Sequence, residues 1–180
     1  MNEIDAIKEL ARLSFLNKYV YRRDELGRLF KLKDDSLENI ITQLLNDGIL
    51  WPATDNIFVY RLFDSSKRDI IGDIATTLRP MEYNYESFES AASQWSIISQ
   101  IPMSRMMVAT TGDSGEITIN GGVVIEFIHI CGDALEIAKR YIDREPRCAL
   151  PIANKKACLN DLLQFNRSLD LIDWEEAEEE

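Results

Sequence analysis

Residues 21–61, YRRDELGRLFKLKDDSLENIITQLLNDGILWPATDNIFVYR, decide how the first third of this chain folds. Leu26, Leu29 and Phe30 lie on one side of a short helix over residues 22–30, the spacing that a buried helical face requires. Asp34 and Asp35 follow with side chains suited to an N-cap, and Glu38 stands in the first turn, where the helix dipole favours an anion. The next helix, residues 36–46, carries Leu37, Ile40, Ile41, Leu44 and Leu45 on one face, and Gly48 stands where a left-handed stop is expected. Residues 49–51 and 57–61 are β-rich runs around a turn-forming segment, 52–56, which predicts a twisted two-stranded ribbon. Further out, Ile4, Ile7, Leu10, Ala11 and Ser14 recur at helical spacing and predict an earlier helix over residues 3–15, with β-formers at 17–21. Helix, short helix, longer helix and ribbon in that order predict a winged helix-turn-helix domain over residues 1–68.

The other face of the third helix is polar. Ser36, Asn39, Gln43 and Asn46 occur at i, i+3, i+7 and i+10 with Thr42 beside them, a stripe of uncharged hydrogen-bonding side chains. Asn and Gln pair bidentately with adenine in the major groove, and Thr touches a thymine methyl. These are residue types that read double-stranded DNA, and Arg22, Arg23, Arg28, Lys31, Lys33 and Arg61 are the candidates for its phosphates. Asp34, Asp35 and Glu38 oppose that reading, because they stand near the same phosphates.

Charge separates the chain into two parts. The formal net charge of the 180 residues is −11, yet residues 1–68 hold eleven basic and eleven acidic side chains. Residues 69–180 hold nine basic and twenty acidic ones, so the whole deficit lies there. Seven of those acids crowd into residues 170–180, DLIDWEEAEEE, and predict a solvated acidic tail from residue 174 onward. A composition of 46 % hydrophobic and 28 % charged residues is ordinary for a soluble globular protein. No apolar run approaches the roughly 18 residues of a membrane span. The N-terminal MNEIDAIKEL lacks the apolar core of a signal peptide, so the expectation is a cytoplasmic protein without membrane contact. Cys131, Cys148 and Cys158 are odd in number and form no CxxC pair, which argues against a disulfide framework or a zinc site. They are expected to be buried, reduced thiols, and no residue pattern implies a cofactor.

Beyond a polar connector at 63–68, Ile70, Ile71, Ile74, Ala75 and Leu78 predict a short helix ended by Pro80. Ser87 is placed to cap a helix holding Phe88, Ala91, Ala92 and Trp95. Strands at 106–111 and 116–119 flank TGDSG, read as a hairpin turn, and Asn120-Gly121 turns the chain into a strand over 123–130. A helix at 134–141, a strand at 149–152 and a helix at 154–165 complete the pattern. Residues 69–173 therefore predict an α+β domain around a small, mainly antiparallel sheet.

Enzymatic motifs are missing. His129 is the single histidine, on a strand between Ile128 and Ile130, with no local triad motif. A nuclease of the Asp…Glu-x-Lys type fails at Glu126, which Phe127 and Ile128 follow. The run TTGDSGE lacks the lysine and following helix of a phosphate-binding loop. The expectation is that the protein is not an enzyme.

Four stretches resemble a known family. RPMEYNYESFESAASQWSIISQIP with MVATTGDSGEI, then GGVVIEFIHI, then LPIANKKACLNDLLQFNRSLDLID look like the second domain of AbiEi-type antitoxins. The resemblance spans about residues 20–173, and its most specific parts are 83–91, 110–115 and 153–162. It implies an antitoxin of a type IV toxin-antitoxin system, with an N-terminal winged helix that binds promoter DNA and represses its own operon while the protein counteracts a nucleotidyltransferase toxin. It does not imply a stable complex with that toxin. The alternative from the residues themselves is a protein-interaction module, whose winged helix and acidic domain both contact a protein.

Overall fold

The computed structural model describes residues 2–64, 66, 68–100 and 103–178. Met1, Ser65 and Lys67 of the first part, Ile101 and Pro102 of the family-like stretch, and Glu179 and Glu180 of the expected tail lie outside the described residues. The chain divides into two compact units, Met1–Arg68 and Asp69–Glu180. Among the described residues it is a mixed α+β fold with eight α-helices, one sheet of three strands and one of six. None of those helices is long and apolar enough to cross a membrane.

The first unit runs α1 (Glu3–Ser14), β1 (Val20–Arg22), α2 (Arg23–Phe30), α3 (Asp34–Asn46), β2 (Leu50–Pro52) and β3 (Ile57–Tyr60). In α1 the Asn2 side chain accepts from the Asp5 N–H at 2.9 Å and satisfies one orphan donor of the first turn. Its buried face is narrower than the spacing implies: Ala6 and Leu10 are buried, whereas Ile4 is 64 % exposed. The antiparallel sheet has the order β1-β3-β2, with Val59 facing Val20 on one side and Trp51 on the other. β1 thus turns the expected ribbon into a three-stranded sheet, and central β3 has all four residues buried. Helix α3 buries Leu37, Ile40, Ile41 and Leu44, each contributing about 1.5–3 kcal/mol from removal of apolar surface from water. It starts two residues earlier than its apolar periodicity implies. Lys33, not Asp34 or Asp35, occupies the N-cap and makes no side-chain bond there. The two aspartates stand in the first turn, where the helix dipole still favours them. Gly48 follows the helix at φ +68, a conformation glycine adopts without steric cost.

The second unit runs α4 (Ile70–Leu78), β4 (Asn84–Glu86), α5 (Phe88–Gln94), β5 (Arg105–Thr110), β6 (Gly115–Thr118), β7 (Val124–His129), α6 (Ala134–Ala138), β8 (Tyr141–Arg144), β9 (Cys148–Ala153), α7 (Lys155–Gln164) and α8 (Trp174–Glu178). The strand order is β6-β7-β5-β4-β9-β8. Pairs β5/β7 and β4/β9 are parallel, and the other three are antiparallel. The sheet is therefore mixed, because β7 inserts between β5 and β6. TGDSG is accordingly a crossing loop over the end of β7 and not the hairpin turn that its composition implies. The hairpin at Asn120-Gly121 does form, joining β6 to β7 with Ile117 opposite Ile125.

The core of this unit gathers Tyr85, Phe88, Ile97, Ile128, Ile137 and Leu162, with the Phe165 ring edge-on to Phe88 at 5.4 Å. Ser87 occupies the N-cap of α5, but its hydroxyl donates to Asp161 Oδ2 at 2.7 Å instead of closing the helix end. The expected helix over 134–141 stops at Ala138, because Tyr141–Arg144 forms the edge strand β8. Residues 170–173 pack into this unit: Ile172 is buried and bridges Ile98, and the Asp173 N–H donates to the Ile97 carbonyl at 2.7 Å. Cys148 and Cys158 are buried as expected, whereas Cys131 is exposed.

Candidate nucleic-acid interface

Helix α3 presents the polar stripe outward because its other side is committed to the core. Ser36, Asn39, Thr42, Gln43 and Asn46 are all exposed, while Leu37, Ile40, Ile41 and Leu44 face inward. The side chains that sequence placed at i, i+3, i+7 and i+10 therefore share one exposed surface.

The six basic candidates split into two groups. Arg22, at the N-cap of α2, pairs with Asp24 at 2.8 Å, and Asp24 also receives Arg28 at 3.0 Å. Hydrogen bonds from Arg22 hold the Asp24 carboxyl down to about 2, well below the usual carboxylate range. The Arg22 backbone N–H is taken by Glu25 at 2.8 Å. Arg23 pairs with Glu38 at 2.5 Å. Lys31, Lys33 and Arg61 are exposed and take part in none of these pairs. Lys31 caps α2 in the left-handed conformation at φ 56, and Lys33 begins α3, so both stand in the turn between the two helices.

An open cleft of about 450 Å³ lies beside that turn, lined by Asp24, Gly27, Arg28, Lys31, Leu32, Lys33 and Leu37. Half of the cationic set is thus partly neutralised inside the unit, which charge counting does not show. The Asp24–Arg28 pair has a sequence signal that could have found it, helical i, i+4 spacing. The Arg23–Glu38 pair has none, because it depends on how α2 crosses α3.

Among the described residues no group of three or more His, Cys, Asp and Glu side chains could hold a metal ion. No protein-family model matches the chain, and no curated protein matches it. Among solved structures, the fold is similar to the crystal structure of the RV2827C protein from Mycobacterium tuberculosis, with a TM-score of 0.55 and 12 % identity over 85 % of this chain. The chain covers 58 % of that protein's length, and the likeness is one of fold.

Proposed function

We propose that the Met1–Arg68 unit is a winged helix-turn-helix that reads double-stranded promoter DNA with α3, and that the protein is a cytoplasmic, non-enzymatic antitoxin. The observation that carries the DNA reading is the exposed stripe of Ser36, Asn39, Gln43 and Asn46. Lys31, Lys33 and Arg61 supply the phosphate contacts, and Asn39 and Gln43 the base contacts. The antitoxin role rests on the resemblance of residues 83–91, 110–115 and 153–162 to AbiEi-type proteins. In that reading the protein represses its own operon and counteracts a nucleotidyltransferase toxin.

An electrophoretic shift with the DNA upstream of its own reading frame tests the proposal. Three free cations imply a slope of log affinity against log salt near about −3, whereas all six engaged imply about −5. Asn39→Ala with Gln43→Ala is expected to lower affinity for the promoter without changing that slope. Absence of a shift at low salt overturns the DNA reading. A second reading, docking onto a protein, is favoured by the internal pairing of Arg22, Arg23 and Arg28 with Asp24 and Glu38, which engages half of the six basic candidates within the unit.

A further inference from the structure

We propose that Cys131, paired with His129, is a reactive surface thiol that hydroperoxides oxidise. β7 ends at His129, and its insertion between β5 and β6 brings that residue under the crossing loop. The His129 backbone N–H donates to Ser114 Oγ at 2.9 Å, and ring Nδ1 lies 2.9 Å from the Gly112 carbonyl oxygen. A carbonyl only accepts, so Nδ1 carries a proton, and in the neutral tautomer Nε2 is the ring's acceptor. That nitrogen lies 3.6 Å from Cys131 Sγ, a hydrogen-bonding distance for sulfur. A nucleophile, its base and the group that orients the base are thus held together, the arrangement that activates a thiol.

Both side chains are exposed. Cys148 and Cys158 are buried, and burial pushes the Cys148 thiol up to about 12 and Cys158 up as well. The loop carrying Cys131 is held by Arg140, whose Nη2 donates to the Cys131 carbonyl at 3.3 Å. Asp133 and Glu136 follow in the turn that opens α6, where Asp133 caps the helix by accepting from the Glu136 N–H at 2.8 Å. Their charges oppose the arginine's, and the imidazole is the side chain in hydrogen-bonding contact with the thiol.

In the reaction, Nε2 takes the thiol proton and the sulfur attacks one oxygen of the peroxide. The S–O bond forms as the O–O bond breaks. The departing alkoxide or hydroxide takes the proton back from the imidazolium and leaves as alcohol or water. The sulfur is oxidised by two electrons to a sulfenic acid, and the peroxide is reduced.

The test treats the full chain at neutral pH with hydrogen peroxide, traps sulfenic acid with a 1,3-diketone and locates the adduct by peptide mass spectrometry. The adduct is expected on Cys131 and not on Cys148 or Cys158. His129→Asn keeps an amide donor toward Gly112 while removing the base, and is expected to slow the reaction by about tenfold or more. Cys131 is also expected to react faster in the native chain than in the urea-unfolded chain, a comparison that needs no variant. An unchanged rate in His129→Asn with a parental melting curve, equal labelling of the three cysteines, or faster reaction of the unfolded chain overturns the proposal.

Discussion

Arg23 on α2 reaches Glu38 on α3, with Nη1 2.5 Å from Oε1, while its Nη2 donates to the Asp55 carbonyl at 2.7 Å and its guanidinium lies 5.1 Å from the Phe58 ring centroid. One arginine thereby ties α2, α3 and the β2–β3 turn together, and one carboxylate occupies it. Glu38→Gln removes the negative charge beside the polar stripe and frees the guanidinium. The expected result is promoter binding tighter by about tenfold at low salt, with a salt slope steeper by about one unit. Stability is expected to change by less than about 1 kcal/mol, because the pair is half exposed. Unchanged affinity in a titrated shift assay counts against α3 as the DNA-facing helix.

Asp161 lies buried beneath two hydroxyls, accepting from Ser87 Oγ at 2.7 Å and Tyr85 Oη at 3.1 Å. Burial raises its pKa above the ordinary carboxylate value against those bonds. The native state therefore holds the proton more tightly than the unfolded one. Stability from this group is fully present below the ordinary carboxyl range and is lost as pH rises through the raised native value. Asp161→Asn keeps an acceptor and removes the titration, so its stability relative to the parent is expected to improve across that window. Asp161→Ala leaves both hydroxyls without this acceptor and is expected to cost about 2–4 kcal/mol. Urea unfolding of the three proteins from acid to neutral pH checks both statements. A parent and Asn variant with parallel pH profiles would remove Asp161 as the source.

Arg167 and Arg105 both contact Glu126, at 2.8 and 2.9 Å, but only Arg167 reaches the buried Glu89, at 3.1 Å. Glu89 Oε2 is buried without a hydrogen bond, so its charge depends on Arg167 and on the Ser168 hydroxyl at Oε1. Arg167→Leu is expected to cost about 3 kcal/mol, because it strands a buried carboxylate. Arg105→Ala, on the exposed side of the same network, is expected to cost less than about 1 kcal/mol. Equal losses in denaturant midpoint would contradict this ordering.

Gly72 in α4 packs directly on the buried Cys148 side chain of β9, and a Cβ there would overlap the Sγ. Gly72→Ala is expected to destabilise by about 1–3 kcal/mol, since the clash outweighs alanine's better helix propensity. Adding Cys148→Ala to the same chain makes room, so the double variant is expected to lose less than the sum of the singles. Strict additivity in thermal melts would argue against the contact.

What was legible in the sequence follows from which interactions are local. The apolar spacing of Leu37, Ile40, Ile41 and Leu44, and the turn residues at Gly48 and Asn120-Gly121, act within a few positions and mark α3 and two turns. Tyr141–Arg144 has an edge-strand pattern with both central residues exposed, which leaves no apolar run to read. The mixed sheet was not legible, because pairing β5 with β7 joins Arg105 to Val124 across an intervening strand. The Cys131–His129 pair was hidden for a related reason: what orients the imidazole is the crossing loop, and the loop's path depends on strand order. Ser87 has the residue type of a cap, but a buried carboxylate on α7 competes for its hydroxyl and wins.

The placement of β7 sets an order of assembly. β6 and β7 pair through a short local turn, with Ile117 opposite Ile125, whereas β7 meets β5 only over a longer separation. Closing a short loop costs less entropy, so the hairpin is expected to form first and dock on β5 as a unit. Residues 111–114 can settle only after that docking, when the His129 donors arrive. In pulse-labelling hydrogen exchange, the amides of the paired segments 115–118 and 124–127 are expected to gain protection before the His129 amide, which bonds Ser114 of the loop, so that the crossing loop is the last part of this sheet to become ordered.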